Sequence, residues 1–117
     1  MFEFLRNNIY RKLIFLSFFS KNKLKVNGFS IVGNDIKSFI SEFDHIFYRE
    51  EYFFKSNKTD PLIIDCGANI GMSLIYFKYR YPNSKIIAFE PDKDLIPIIN
   101  KNILDNKLTN IELRKEA

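Results

Sequence analysis

Residues 61–92, PLIIDCGANIGMSLIYFKYRYPNSKIIAFEPD, decide the fold. Leu62, Ile63 and Ile64 form an apolar run without polar alternation, the pattern of a strand in a parallel sheet covered on both faces. The run ends at Asp65, and Gly67 follows. Glycine lets the backbone turn sharply and lets a ligand approach where a Cβ would clash. Gly71 stands where a helix begins. Residues 72–81 carry Leu74, Ile75, Phe77 and Tyr79, with Lys78 and Arg80 late, where cations suit the helix dipole. Pro82, Asn83 and Ser84 break this helix. Residues 85–89 form a second apolar strand, with Glu90 at its carboxyl end, 23 residues after Gly67.

Strand, glycine turn, helix, strand and terminal carboxylate make a unit that binds a nucleotide-type cofactor. The turn sits at a helix N-terminus, and an acid roughly 20 residues on accepts hydrogen bonds from a ribose diol. A dinucleotide site wants G-x-G-x-x-G, because a pyrophosphate needs bare backbone at the helix start. Here the spacing is Gly67-x-x-x-Gly71, with Cys66 and Ala68 beside the first glycine. Asp65 puts a negative charge at the mouth of the turn. That charge repels a pyrophosphate and suits a ligand with an ammonium group and no phosphate, such as S-adenosylmethionine.

The two motifs, Asp65-Cys-Gly67-Ala68-Asn69-Ile-Gly71 and Phe89-Glu90-Pro91-Asp92, resemble the first two motifs of a class I S-adenosylmethionine-dependent methyltransferase. More narrowly, residues 45–117 resemble the FkbM family. That family's pattern runs D-x-G-A-N-x-G, an aromatic-rich helix, Y-P, an apolar strand and F-E-P-D, then an asparagine-rich stretch and a third strand. Tyr81-Pro82, Asn100-Lys-Asn102-Ile103 and Asn110-Ile111-Glu-Leu113 fit it. The resemblance implies S-adenosylmethionine as cofactor, bound by Asp65, Gly67, Ala68, Asn69, Gly71, Glu90, Pro91 and Asp92. It also implies a Rossmann-like parallel sheet of order 3-2-1 with helices on both faces, and O-methylation of a small-molecule or glycan hydroxyl. The family's sheet continues past strand 1 on its other side, so the expectation is a chain holding only the N-terminal half of the domain, inactive alone and prone to self-associate through the open edge of strand 1. No catalytic residue is nameable, and no metal site is expected.

Each residue also has a plainer role. The two glycines serve any tight strand-to-helix turn, Asp65 can cap the following helix, and Asn69 tolerates left-handed backbone. Cys66, the only cysteine, reads as a small core residue beside a buried strand rather than a nucleophile. His45, the only histidine, reads as a surface residue.

One cysteine excludes an internal disulfide framework and points to a cytoplasmic protein. No apolar run approaches the roughly 20 residues of a membrane span. Residues 59–117 hold eight Lys/Arg and eight Asp/Glu, so the net +4 comes from residues 1–58. A basic N-terminal arm is the only feature favouring nucleic acid, and no recognised motif accompanies it, so no nucleic-acid partner is expected.

The first 58 residues read as an N-terminal cap and residues 59–117 as the cofactor-binding unit. Within the cap, residues 2–19 form an amphipathic helix. It lacks a signal-peptide cleavage site and is expected to pack on its own domain, with membrane-surface contact as the lesser alternative. Asn27-Gly28 between apolar runs marks a two-residue hairpin. Asn34 or Asp35 caps a helix running to about residue 45, with Ile36, Phe39, Ile40 and Phe43 on one face. Asp94 is the expected cap of a helix with Pro97 in its first turn, and Leu95, Ile98, Ile99 and Ile103 as its apolar face. Two further functional classes stay open: a nicotinamide-binding oxidoreductase, disfavoured by the two-glycine turn, and a non-catalytic remnant.

Overall fold

The computed structural model describes residues 22–117. The helix expected over residues 2–19 lies outside them. The described chain begins with an antiparallel hairpin, β1 (Lys23–Val26) and β2 (Phe29–Val32), paired Val26 to Phe29 at the turn. Asn27 and Gly28 have φ of 52° and 82°, the double left-handed geometry that this dipeptide accommodates in a two-residue turn.

Helix α1 (Ile36–Phe43) follows, capped by Asp35, whose side chain accepts the Ser38 N–H. It continues as one π-helical turn, Asp44–Tyr48, so the helical run passes His45 in a wider form than its sequence pattern predicts. His45 lies exposed, with Nδ1 2.8 Å from Glu51 Oε2.

The cofactor-type unit then runs β3 (Leu62–Cys66), α2 (Met72–Arg80), β4 (Lys85–Phe89), α3 (Ile96–Asp105) and β5 (Ile111–Arg114). The three strands are parallel in the order β3-β4-β5, which is the 3-2-1 order read across the sheet from its last strand. The crossovers run through α2 and α3, the kind of long connection that parallel neighbours require.

Cross-strand register explains which residues are inside. Ile86 lies between Ile63 and Ile111, and Ala88 between Asp65 and Leu113. These share one face, which joins a continuous core with Leu74, Ile75, Ile96 and Ile99 of the helices. The alternate residues Leu62, Ile64 and Cys66 are exposed. The described helices thus cover one face of the sheet, and β3 shows an in-out alternation that its unbroken apolar sequence hides. Cys66 accordingly corrects the expectation of a core cysteine: it shares the outward side of the strand with Leu62 and Ile64 and is exposed.

Helix α3 also differs from expectation. Its N-terminal boundary is Leu95 with no side-chain cap, while Asp94 donates its own N–H to Asp92 Oδ1. Pro97 does lie in the first turn. Its buried residues are Ile96, Ile99 and Asn102, so a polar side chain stands where periodicity favours only apolar ones.

The hairpin and α1 share this core. Leu24, Ile31, Phe39, Phe43, Ile46 and Phe47 join the cluster around α2 and α3. Phe47 stacks on Phe43 at 5.1 Å and meets the Tyr76 ring edge-on at 5.5 Å, geometries that aromatic quadrupoles favour. The segment leading to β3 is fixed along α2. Phe54 stacks on Tyr81 at 5.0 Å, Tyr81 Oη accepts the Ser56 N–H at 2.9 Å, and Arg80 lies 4.5 Å above the Phe53 ring. Tyr76 donates to Glu50 Oε1, and burial with that acid's charge pushes its phenol up to about 12. Buried Lys78 donates from Nζ to the Ser84 carbonyl, and its pKa is lowered by desolvation.

Candidate functional site

The site forms where β3 and β4 end side by side. Cys66 pairs with Phe89, and the chain leaves both strands at the same edge. Gly67 and Ala68 both donate their N–H to the Phe89 carbonyl, at 2.8 and 3.0 Å, and Gly71 N–H closes a tight turn on the Ala68 carbonyl at 2.8 Å. This path needs left-handed backbone at three positions: Gly67 and Gly71 both at φ 88° and Asn69 at 53°. The left-handed role open to Asn69 is therefore observed.

A Cβ built on Gly67 meets nothing within 4 Å, so open space lies over the first glycine. On Gly71 it meets Ile99 Cγ2 at 3.5 Å, an ordinary contact. The second glycine serves the helix start and its approach to α3, while the first borders free volume.

Glu90 holds the other side of the loop. Its Oε1 accepts the Asn69 N–H at 2.8 Å and its Oε2 accepts the Asp92 N–H at 2.9 Å. It is only 6% exposed. Each oxygen keeps a further lone pair for a donor such as a ribose hydroxyl. Pro91 and Asp92 follow in the exposed loop.

Asp65, 7% exposed, accepts the Ser73 hydroxyl at 2.5 Å, which ties the strand end to the second residue of α2. Burial raises its pKa, the Ser73 bond lowers it, and the Glu90 charge raises it again. The structure thus brings Asp65, Gly67, Ala68, Asn69, Gly71 and Glu90 into one place.

Two residues that sequence reasoning did not assign to the site face it. Glu42 of α1 has its pKa raised by burial, against a hydrogen bond from the Asn69 side chain, with the charges of Asp65 and Glu90 adding to the rise. Its Oε2 is buried without a hydrogen-bond partner among the described residues. Tyr52, stacked on Phe77 at 6.1 Å, has its phenol raised by burial and then by the charges of Asp65, Glu42 and Glu51. The sequence signal for Glu42 was faint: an acid one turn after Phe39, bordering the apolar face of a short helix.

The donor set discriminates between ligands. Buried carboxylates around a bare glycine, with one orphaned acid oxygen, suit a cationic ligand that also carries hydroxyl donors. They repel phosphate, since the N–H groups of Gly67, Ala68 and Gly71 are spent on carbonyls. No group of His, Cys, Asp and Glu among the described residues is arranged to hold a metal ion.

At 34% identity over 71 residues, 60% of this chain and 27% of the relative, the sequence aligns with "Methyltransferase sdnD" of Sordaria araneosa. The chain is similar to methyltransferases. A second relative, "Methyltransferase 1" of Beauveria bassiana, is 33% identical over 86 residues, 72% of this chain and 34% of its own length. The chain therefore spans about a third or less of the curated relatives it matches. Among solved structures, PH0793 of Pyrococcus horikoshii shares the fold with a TM-score of 0.52 and 21% identity over 80% of this chain and 35% of that one. No family model matches the chain.

Proposed function

We propose that this chain carries the cofactor-binding motifs of an S-adenosylmethionine-dependent methyltransferase. One observation carries the reading: Asp65 and Glu90, both buried, end adjacent parallel strands on either side of a left-handed glycine turn with open space over Gly67. The likeness to two curated methyltransferases also supports it.

When bound, the cofactor supplies an electrophilic methyl group on a sulfonium. Glu90, already oriented by the Asn69 and Asp92 amides, accepts hydrogen bonds from the ribose hydroxyls. Asp65, fixed by Ser73, presents negative charge toward the ammonium end. Gly67 lets the ligand lie against bare backbone. The chain's contribution is thus orientation, which carries much of the rate when a nucleophile and a sulfonium must be held in line. Ala68, Asn69, Pro91 and Asp92 complete the cofactor contacts in this proposal.

Within the class, the FkbM resemblance favours a hydroxyl of a glycan or small molecule as acceptor. Calorimetric titration with S-adenosylhomocysteine and with NADH tests the cofactor assignment. Binding of the former alone is the expected result. Binding of NADH alone would replace this reading with the oxidoreductase alternative.

A further inference from the structure

Asn102 is 1% exposed and has its side-chain amide spent in two directions. Its Oδ1 accepts the Val32 N–H at 2.7 Å, and its Nδ2 donates to the Val32 carbonyl at 3.0 Å and to the Ile70 carbonyl at 2.7 Å. One helical turn later, Asn106 Oδ1 accepts the Ser30 N–H and Nδ2 donates to the Ser30 carbonyl, both at 2.7 Å. Asn106 also donates to the Asn102 carbonyl at 2.7 Å.

The spacing explains the match. In the hairpin register, Ser30 and Val32 occupy the pairs that direct their N–H and C=O away from β1, leaving an open strand edge. Those groups recur every two residues, about 6.6 Å apart along a strand, and asparagines at i and i+4 of a helix rise about 6 Å. The two amides thus replace a neighbouring strand along β2.

Only Asn102 reaches further, to Ile70 inside the glycine loop. Ile70 lies between Asn69, whose N–H Glu90 holds, and Gly71, which approaches Ile99 of the same helix. The hairpin edge and the glycine loop therefore meet on one side chain.

We propose that Asn102 is a positioning residue for the cofactor loop, fixing the Ile70–Gly71 turn and making its geometry conditional on docking of the N-terminal hairpin. The ligand half of this inference rests on the cofactor reading above; the coupling of hairpin and loop does not. With Asn102 removed, the loop keeps Glu90 on one side and loses its anchor on the other. With Asn106 removed, β2 loses one clamp while the loop keeps its own.

Hydrogen–deuterium exchange by mass spectrometry of the segment 67–73, without ligand, tests the coupling in Asn102→Ala and Asn106→Ala. The amides of Gly67, Ala68, Asn69 and Gly71 report there, and melting is followed in parallel. Asn102→Ala should speed exchange of that segment about tenfold, whereas Asn106→Ala should lower Tm but leave exchange of the segment nearly unchanged. Equal acceleration in the two variants, or none in Asn102→Ala, would overturn the proposal. Should Asn102→Ala fail to fold, Asn102→Ser carries the same comparison, keeping a hydroxyl for one partner. Titration with S-adenosylhomocysteine, at a temperature where each variant is folded, should show weakening of about tenfold for Asn102→Ala only. If exchange separates the variants but even the unmodified protein does not bind, the coupling stands and the cofactor reading falls.

Discussion

Glu90 reaches from the end of β4 to the loop after β3, where its Oε1 accepts the Asn69 N–H at 2.8 Å. With Oε2 on the Asp92 N–H, the carboxylate organises the backbone on both sides of the site before any ligand arrives. That dual role governs how its mutants must be read.

Glu90→Gln keeps the side chain's size but sets an N–H against one of the two backbone donors. It should weaken S-adenosylhomocysteine binding by about 1–3 kcal/mol, the scale of lost charge-assisted hydrogen bonds. Calorimetry on a variant with native circular dichroism measures this, and unchanged affinity would remove Glu90 from the ribose contact.

Gly67 separates backbone strain from ligand space. A Cβ there touches no protein atom but must adopt φ 88°, which costs an L-residue roughly 1–2 kcal/mol. Gly28, with φ 82° and equally open surroundings, suffers the same strain outside the loop. Gly67→Ala and Gly28→Ala should therefore lose similar stability in chemical denaturation, while only Gly67→Ala, and more severely Gly67→Val, loses cofactor affinity. Normal affinity in Gly67→Val would refute the site.

Asp65 and Glu42 give the site a pH signature. Both carboxyl groups are raised above their ordinary values, burial being the largest cause in each. An acid with a raised folded pKa binds more protons in the folded state, so these two contribute stability that falls as pH climbs from the unfolded value, about 4, through the folded one. A cationic ligand favours their ionised forms, so its affinity should rise across the same interval with release of protons. Titrations in buffers of differing ionisation enthalpy detect that release, and affinity that falls with pH there would contradict a cation at this site.

The free edge of β3 predicts association. Among the described strands β3 pairs only with β4, and Leu62 and Ile64 beside that edge are 61% and 53% exposed. Unpaired N–H and C=O groups flanked by apolar side chains template pairing with another chain. Light scattering on the 117-residue chain should show concentration-dependent growth, and Ile64→Lys should reduce it without lowering helical content. A monomer at all concentrations would show that the edge is covered.

The sequence alone determined the order of the described strands and helices from β3 onward, the hairpin at Asn27-Gly28 and the glycine loop between Asp65 and Glu90, while the 3-2-1 sheet order came from the family resemblance. The first three are written in local chemistry: a turn that needs positive φ, a β-branched run bounded by breakers, an acid at a strand end. Tertiary structure decided what local patterns cannot carry. Residues 62–64 are uniformly apolar, yet packing against α2 and α3 chose Ile63 for the interior and left Leu62, Ile64 and Cys66 outside. Asn102 reads in the sequence only as part of an asparagine-rich stretch, yet it is a buried anchor of α3, because the backbone edge it satisfies lies 70 residues away in the chain. Glu42 joined the site for the same reason. Its hydrogen-bond partner Asn69 and the charges of Asp65 and Glu90 are distant in sequence, and only packing of α1 onto the shared core brings them together.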